Sequence, residues 1–172
     1  MFPKDVAFIL AQPPGQERRP IADHVEQRAG LDQAVVPTRE MGADADRIAP
    51  LRALIDAGVP VSLATDNVPP TMFHTIWHAA TRRTQETGQP FAAEQCLTRE
   101  EALACASREG AYLTFEEDEK GTLEPGKLAD IAVLSDDPLA VDDDRLPGIT
   151  ADLTLVGGKI VYDRAEASNP SA

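Results

Sequence analysis

Asp66 closes the apolar, β-branched run "VSLAT" (residues 61–65) and is followed at once by Asn67, Val68 and two prolines. A carboxylate one residue past a strand that helices flank stands where the active sites of parallel α/β sheets and barrels collect, at the carboxyl ends of the strands. There it can bind a divalent metal or accept a proton from water; the plainer alternative is a cap on the next helix or an Asx-turn. His74 and His78 form H-x-x-x-H on one helical face, the spacing of zinc-binding protease helices. Thr75 holds the place where that motif needs a glutamate, and no third ligand has suggestive spacing, so an ordinary, partly exposed pair is expected. His24 stands alone and reads as a surface histidine. Cys96 and Cys105, nine residues apart in a helical stretch, are too distant for relaxed disulfide geometry. They read as small buried hydrophobes of a reduced, cytoplasmic protein.

The elements that position these groups follow from periodicity and punctuation. In "DRIAPLRALIDAGVP", apolar residues at Ile48, Leu51, Leu54 and Ile55 predict a helix closing on Gly58. The strand "VSLAT" comes next, then a second helix in "TMFHTIWHAATRRTQETG", with Thr71 as N-cap and Gly88 as its stop. "LTREEALACASREGAYLTF" reads as one further helical element, with Thr98 and Glu101 at capping-box spacing. Beyond Gly121 the period changes to two. "ADIAVL" is a strand and "ADLTLVGGKIVYD" a hairpin turning at Gly157 and Gly158, while Gly121 and Gly126 supply positive φ at turns in "KGTLEPGKLADIAVL". Before Asp46, "DVAFILA" reads as a short strand and residues 20–30 as a brief helix.

The 172 residues allow one domain and an appendage, and 42% apolar with 26% charged residues is a globular composition. A net charge of -13 repels phosphates and anionic lipid, so nucleic acid and membrane surfaces are not expected partners. The run "VAFILA" is too short for a signal sequence or a membrane span. The acidic stretches "FEEDEKG" and "SDDPLAVDDDR" read as solvated loops and helix ends.

"TLEPGKLADIAVL", then "DDPL", then "LTLVGGKIVYD" resembles the C-terminal end of the amidohydrolase superfamily, in particular its YtcJ-like group, amidohydrolase family 3. "PLRALIDAGVPVSLATDN", "TRRT" and "LTREEALACASREGAYLTFEEDEKGTLEPGKLAD" resemble the same group in unbroken order, so the likeness covers residues 48–163, about two thirds of the chain. The resemblance implies an α/β fold: the C-terminal part of a (β/α)8 barrel, incomplete in this chain, followed by strands of a small β-sandwich. Residues 1–117 would be the last barrel units, 118–164 the sandwich strands and 165–172 a disordered tail. It also implies hydrolysis of a non-peptide, amide-like C–N bond in a small molecule. Asp66 would then be catalytic residue and metal ligand together, Asn67 would line the substrate pocket, and the cofactor would be a divalent metal, expected as zinc.

The chain departs from that pattern. The family's H-x-H pair is missing among its three histidines, and only about 60 residues precede "VSLAT", room for roughly two strand-helix units of ~30 residues. A truncated C-terminal segment of low or no activity alone is therefore the expectation, with a non-catalytic binding or assembly module as the rival. An open barrel edge would favour a homo-oligomer or a covering partner.

Overall fold

The computed structural model describes residues 49–65, 71–84 and 87–168, with the backbone of residues 7 and 8. Its helices are α1 (Leu51–Asp56), α2 (Met72–Thr81), α3 (Arg99–Cys105), α4 (Arg108–Leu113) and α5 (Arg164–Ala167). The strands are β1 (Ala7–Phe8), β2 (Ile131–Leu134), β3 (Ala151–Val156) and β4 (Lys159–Asp163), and 3₁₀ turns span Ala93–Gln95 and Asp143–Gly148. This mixture of helix and strand fits an α/β fold. The helix expected over residues 20–30 and His24 lie outside the described residues.

Helix α1 ends as its glycine predicts. Gly58 takes φ +73°, its N–H donates to the Ile55 carbonyl and the Val59 N–H to that of Leu54, the paired bonds of a Schellman motif. The expected α2 is shorter than its sequence signals. It stops at Thr81 rather than Gly88, because Arg82 adopts the left-handed conformation (φ 52°). The Arg82 guanidinium donates to the Ala49 carbonyl at 3.0 Å and lies 4.4 Å from the centre of the Phe91 ring, so burial of this side chain holds the helix end.

The single element read over residues 97–115 is two helices. α3 opens with the anticipated capping box: the Glu101 N–H donates to Thr98 Oγ1 (3.2 Å) and the Thr98 N–H to Glu101 Oε2 (2.8 Å). Between α3 and α4, Ser107 takes φ -133° and its hydroxyl donates to the Leu103 carbonyl, breaking the helical run. Cys96 precedes α3 instead of lying within it, and both cysteines are free thiols.

The sheet order is β1-β2-β3-β4, antiparallel at every pair. Strand β2 buries Ala132 and Leu134, and the β3–β4 hairpin turns on Gly157 and Gly158 at φ 55° and 77°, the two positive values of a type I′ turn. The "LEPGKLADI" stretch serves this sheet. Asp130 Oδ1 accepts the Gly157 N–H at 2.7 Å, and the Gly158 N–H donates to the Ala129 carbonyl. Gly121 (φ +96°) lies so close to α4 that a Cβ there would stand 2.7 Å from the Ala111 Cβ.

One apolar cluster joins the helices to the sheet: Leu51, Leu63, Ile76 and Leu103 share it with Leu134 and Leu146. Arg99 ties the same parts by polar contacts, donating to the Pro138 and Val141 carbonyls and pairing with Asp143 at 2.7 Å. The stretch expected to lack order from residue 165 begins as α5, where Asp163 accepts the Ala165 N–H and Arg164 reaches Asp152 and Thr150. No helix among the described residues is long and apolar enough to cross a membrane.

Candidate active site

Asp66 and Asn67 lie outside the described residues, so the site is built from what flanks them. Residues 61–65 lead to Asp66, and Thr71 and α2 follow after residue 70. The expected strand at 61–65 pairs with no strand among the described residues. Leu63 is buried, and its N–H donates at 3.0 Å to the carbonyl of Cys105, the last residue of α3. The last carbonyls of a helix lack intrahelical donors, so the end of α3 supplies the partner that a ladder would otherwise have provided.

Downstream, Thr71 occupies the N-cap position in extended conformation without a capping side-chain bond. α2 buries Phe73, His74, Thr75, Ile76, His78 and Ala79. The two histidines, expected to be partly exposed, are instead buried, at 9% and 3% exposure. Their rings stack edge-on at 4.6 Å, and Trp77 sits 4.7 Å from His78 and 5.7 Å from His74. The His78 Nδ1 lies 2.9 Å from the Arg83 carbonyl, which can only accept. Nδ1 therefore carries a proton and donates this bond. Among the described residues the buried Trp77 Nε1–H has no acceptor. Sequence reading passed over Trp77; its signal was a lone tryptophan flanked by His74 and His78.

No group of three or more His, Cys, Asp or Glu side chains among the described residues can hold a metal ion. Catalytic zinc takes three protein ligands, so these residues do not by themselves fit the expected metal. Among the described residues the H-x-x-x-H pair has no third donor to complete it. The thiols do not serve either: burial pushes Cys105 up to about 11 and raises Cys96 too, which keeps both protonated at neutral pH. Cys105 is expected to stay unmodified by an aromatic disulfide reagent at pH 8 until denaturant is added. Full labelling of the folded chain within seconds would contradict that.

A second assembly borders a cleft of about 450 Å³ lined by Ile55, Val59, Val61, Ala104 and Cys105, at the end of segment 61–65 remote from Asp66. Glu101 also lines it and takes a two-pronged bond from Arg52, Nη1 to Oε2 at 2.8 Å and Nη2 to Oε1 at 2.7 Å, linking α1 to the capping box of α3. These bonds from Arg52, helped by the Thr98 N–H, bring the Glu101 carboxyl down from 4.5 to about 2. A depressed carboxylate stabilises the fold fully above its unfolded value, and that contribution is lost as pH falls through the folded one. The melting temperature of the native chain should therefore fall more steeply between pH 4.5 and 2 than that of Glu101→Gln, which starts lower at pH 6. Equal slopes in parallel thermal melts would remove Arg52–Glu101 from the account.

The chain belongs to the amidohydrolase family, whose sequence profile matches residues 9–162. It is 32% identical, over 69% of its length and 22% of the relative's, to an N-substituted formamide deformylase of Arthrobacter pascens. To YtcJ of Bacillus subtilis (strain 168) it is 30% identical over 47% of this chain and 15% of that one. To an imidazolonepropionase of Thermoplasma acidophilum it is 32% identical over 67% of this chain and 26% of the other. The chain thus spans about a quarter or less of the length of the relatives it matches.

Proposed function

We propose that the protein acts as part of a metal-dependent amidohydrolase that cleaves a non-peptide carbonyl–nitrogen bond in a small molecule. The observation that carries this reading is the family match over residues 9–162. Two of the similar proteins are named for substrates containing such a bond, one an N-substituted formamide and the other an imidazolone. In this reading residues 1–117 are the last units of a (β/α)8 barrel and 118–164 are strands of a β-sandwich, and the enzyme works in the cytoplasm.

Asp66 is the residue that does the chemistry. An amide carbonyl resists attack by neutral water, and its amine is a poor leaving group until protonated. A carboxylate at the strand end meets both needs: it takes the proton of the attacking water and returns it to the departing nitrogen. Asn67, next to it, lines the pocket and orients the carbonyl. The metal, expected as zinc, would count Asp66 among its ligands, the other ligands of the family site being absent from this chain.

The test is formate release from a panel of N-substituted formamides by the purified chain, with metal content measured alongside. Turnover, however slow, together with metal that dialysis does not remove supports the proposal. Because low or no turnover is expected of the chain alone, metal content decides: a folded chain that holds no metal would instead support the rival reading, a binding or assembly module derived from the same fold.

A further inference from the structure

We propose that β4 is a self-recognition edge, through which two copies of this chain pair antiparallel about a two-fold axis at Val161. This inference does not depend on the hydrolase reading. Among the described residues β4 is the outer strand of the sheet, and Ile160, Val161 and Tyr162 are 61%, 61% and 41% exposed. An outer strand presents backbone N–H and C=O groups that a further strand can satisfy. The β3–β4 register passes from Leu155↔Ile160 to Thr154↔Tyr162, which leaves Val161 without a partner residue on β3. Helix α5 does not close this edge, since Arg164 draws it toward Asp152 and Thr150 at the start of β3.

The occupant is read from the order of residues. β4 is Lys-Ile-Val-Tyr-Asp. Two such strands, antiparallel about Val161, set Val161 against its copy and Ile160 against Tyr162. They also set Lys159 against Asp163 twice, once in each half. A closed two-fold contact must be self-complementary, and this strand is so in charge as well as in apolarity. Centring the axis on Lys159 or Asp163 would place like charges opposite each other, which is destabilising. Lys159 is exposed and has no ion pair among the described residues. The net charge of -13 repels any second copy at long range, so association rests on this local match. A five-residue edge buries less than the ~1,200 Å² of a standard interface, which places the dimer in the weak class.

Sedimentation velocity across about 1 µM to 1 mM tests the proposal. The native chain is expected to show a monomer–dimer equilibrium. Lys159→Asp and Asp163→Lys should each weaken it at least tenfold, because each sets like charges face to face. An equimolar mixture of the two variants should restore it, since every 159–163 pair is then complementary while both chains remain strongly acidic. Asp163 also accepts the Ala165 N–H, so circular dichroism must first show that its variant is folded. If it is not, Val161→Pro takes its place and must abolish the dimer in an otherwise folded chain. The proposal is overturned by a monomer at 1 mM, by a dimer that ignores these changes, or by failure of the two charge variants to pair. Protection of β4 amides from hydrogen exchange in a species monomeric at every concentration would assign the edge to another segment and overturn it as well.

Discussion

Asp66→Asn is expected to lower turnover on an N-substituted formamide by about 10²–10⁴-fold, the range general acid–base catalysis supplies. That loss corresponds to ~3–5 kcal/mol of transition-state stabilisation. Asparagine has the shape of aspartate but neither accepts the proton of water nor returns one to the amine, so kcat should fall with little change in KM. Because residues 61–65 are held by the Leu63 bond to Cys105 and by burial of Leu63, the fold should not notice the change, and the melting temperature should stay within a degree or two. The measurement is steady-state kinetics on protein whose dichroism matches the native chain. A variant as active as the native chain would remove Asp66 from the chemistry, whatever its metal content.

Leu146→Ala is expected to cost about 2–5 kcal/mol, the range for truncating a fully buried leucine. For a chain of this size it should lower the melting temperature on the order of 10 °C. Leu146 sits in the 3₁₀ turn Asp143–Gly148, is fully buried, and belongs to the cluster that holds Leu51 and Ile76 from the helices and Leu134 from the sheet. Removing it opens a cavity between the helices and the sheet-side loop, where Arg99 and Arg83 already reach Asp143 and Asp144. Leu139, 48% exposed on the same loop, is the control: its alanine variant should change stability by no more than about 0.5 kcal/mol. Thermal melts of both variants decide the matter, and similar losses in the two would show that the cluster does not carry the stability assigned to it.

Much of the fold was legible because local chemistry settles local geometry. Gly58 marked the end of α1, Thr98 with Glu101 the start of α3, and Gly157 with Gly158 the hairpin, since each depends on groups only a few residues apart. The errors fell where distant residues compete. Gly88 looked like the stop of α2, yet burial of Arg82 against Ala49 and Phe91 ends that helix at Thr81. Residues 61–65 carry strand propensity, but their described hydrogen bond goes to the end of a helix. Spacing placed His74 and His78 on one face; whether that face met water depended on what packed against it.

By itself the sequence determined the family, through motifs in fixed order, and with it the candidacy of Asp66, because order and residue type are properties of the chain alone. Tertiary structure decided that the histidine pair is buried beside Trp77, that Glu101 is held ionised by Arg52 from another helix, and that β4 lies at the rim of the sheet formed by the described residues. Burial, ion pairing and edge position each depend on residues brought together from tens of positions away, and no local pattern encodes which of them will meet.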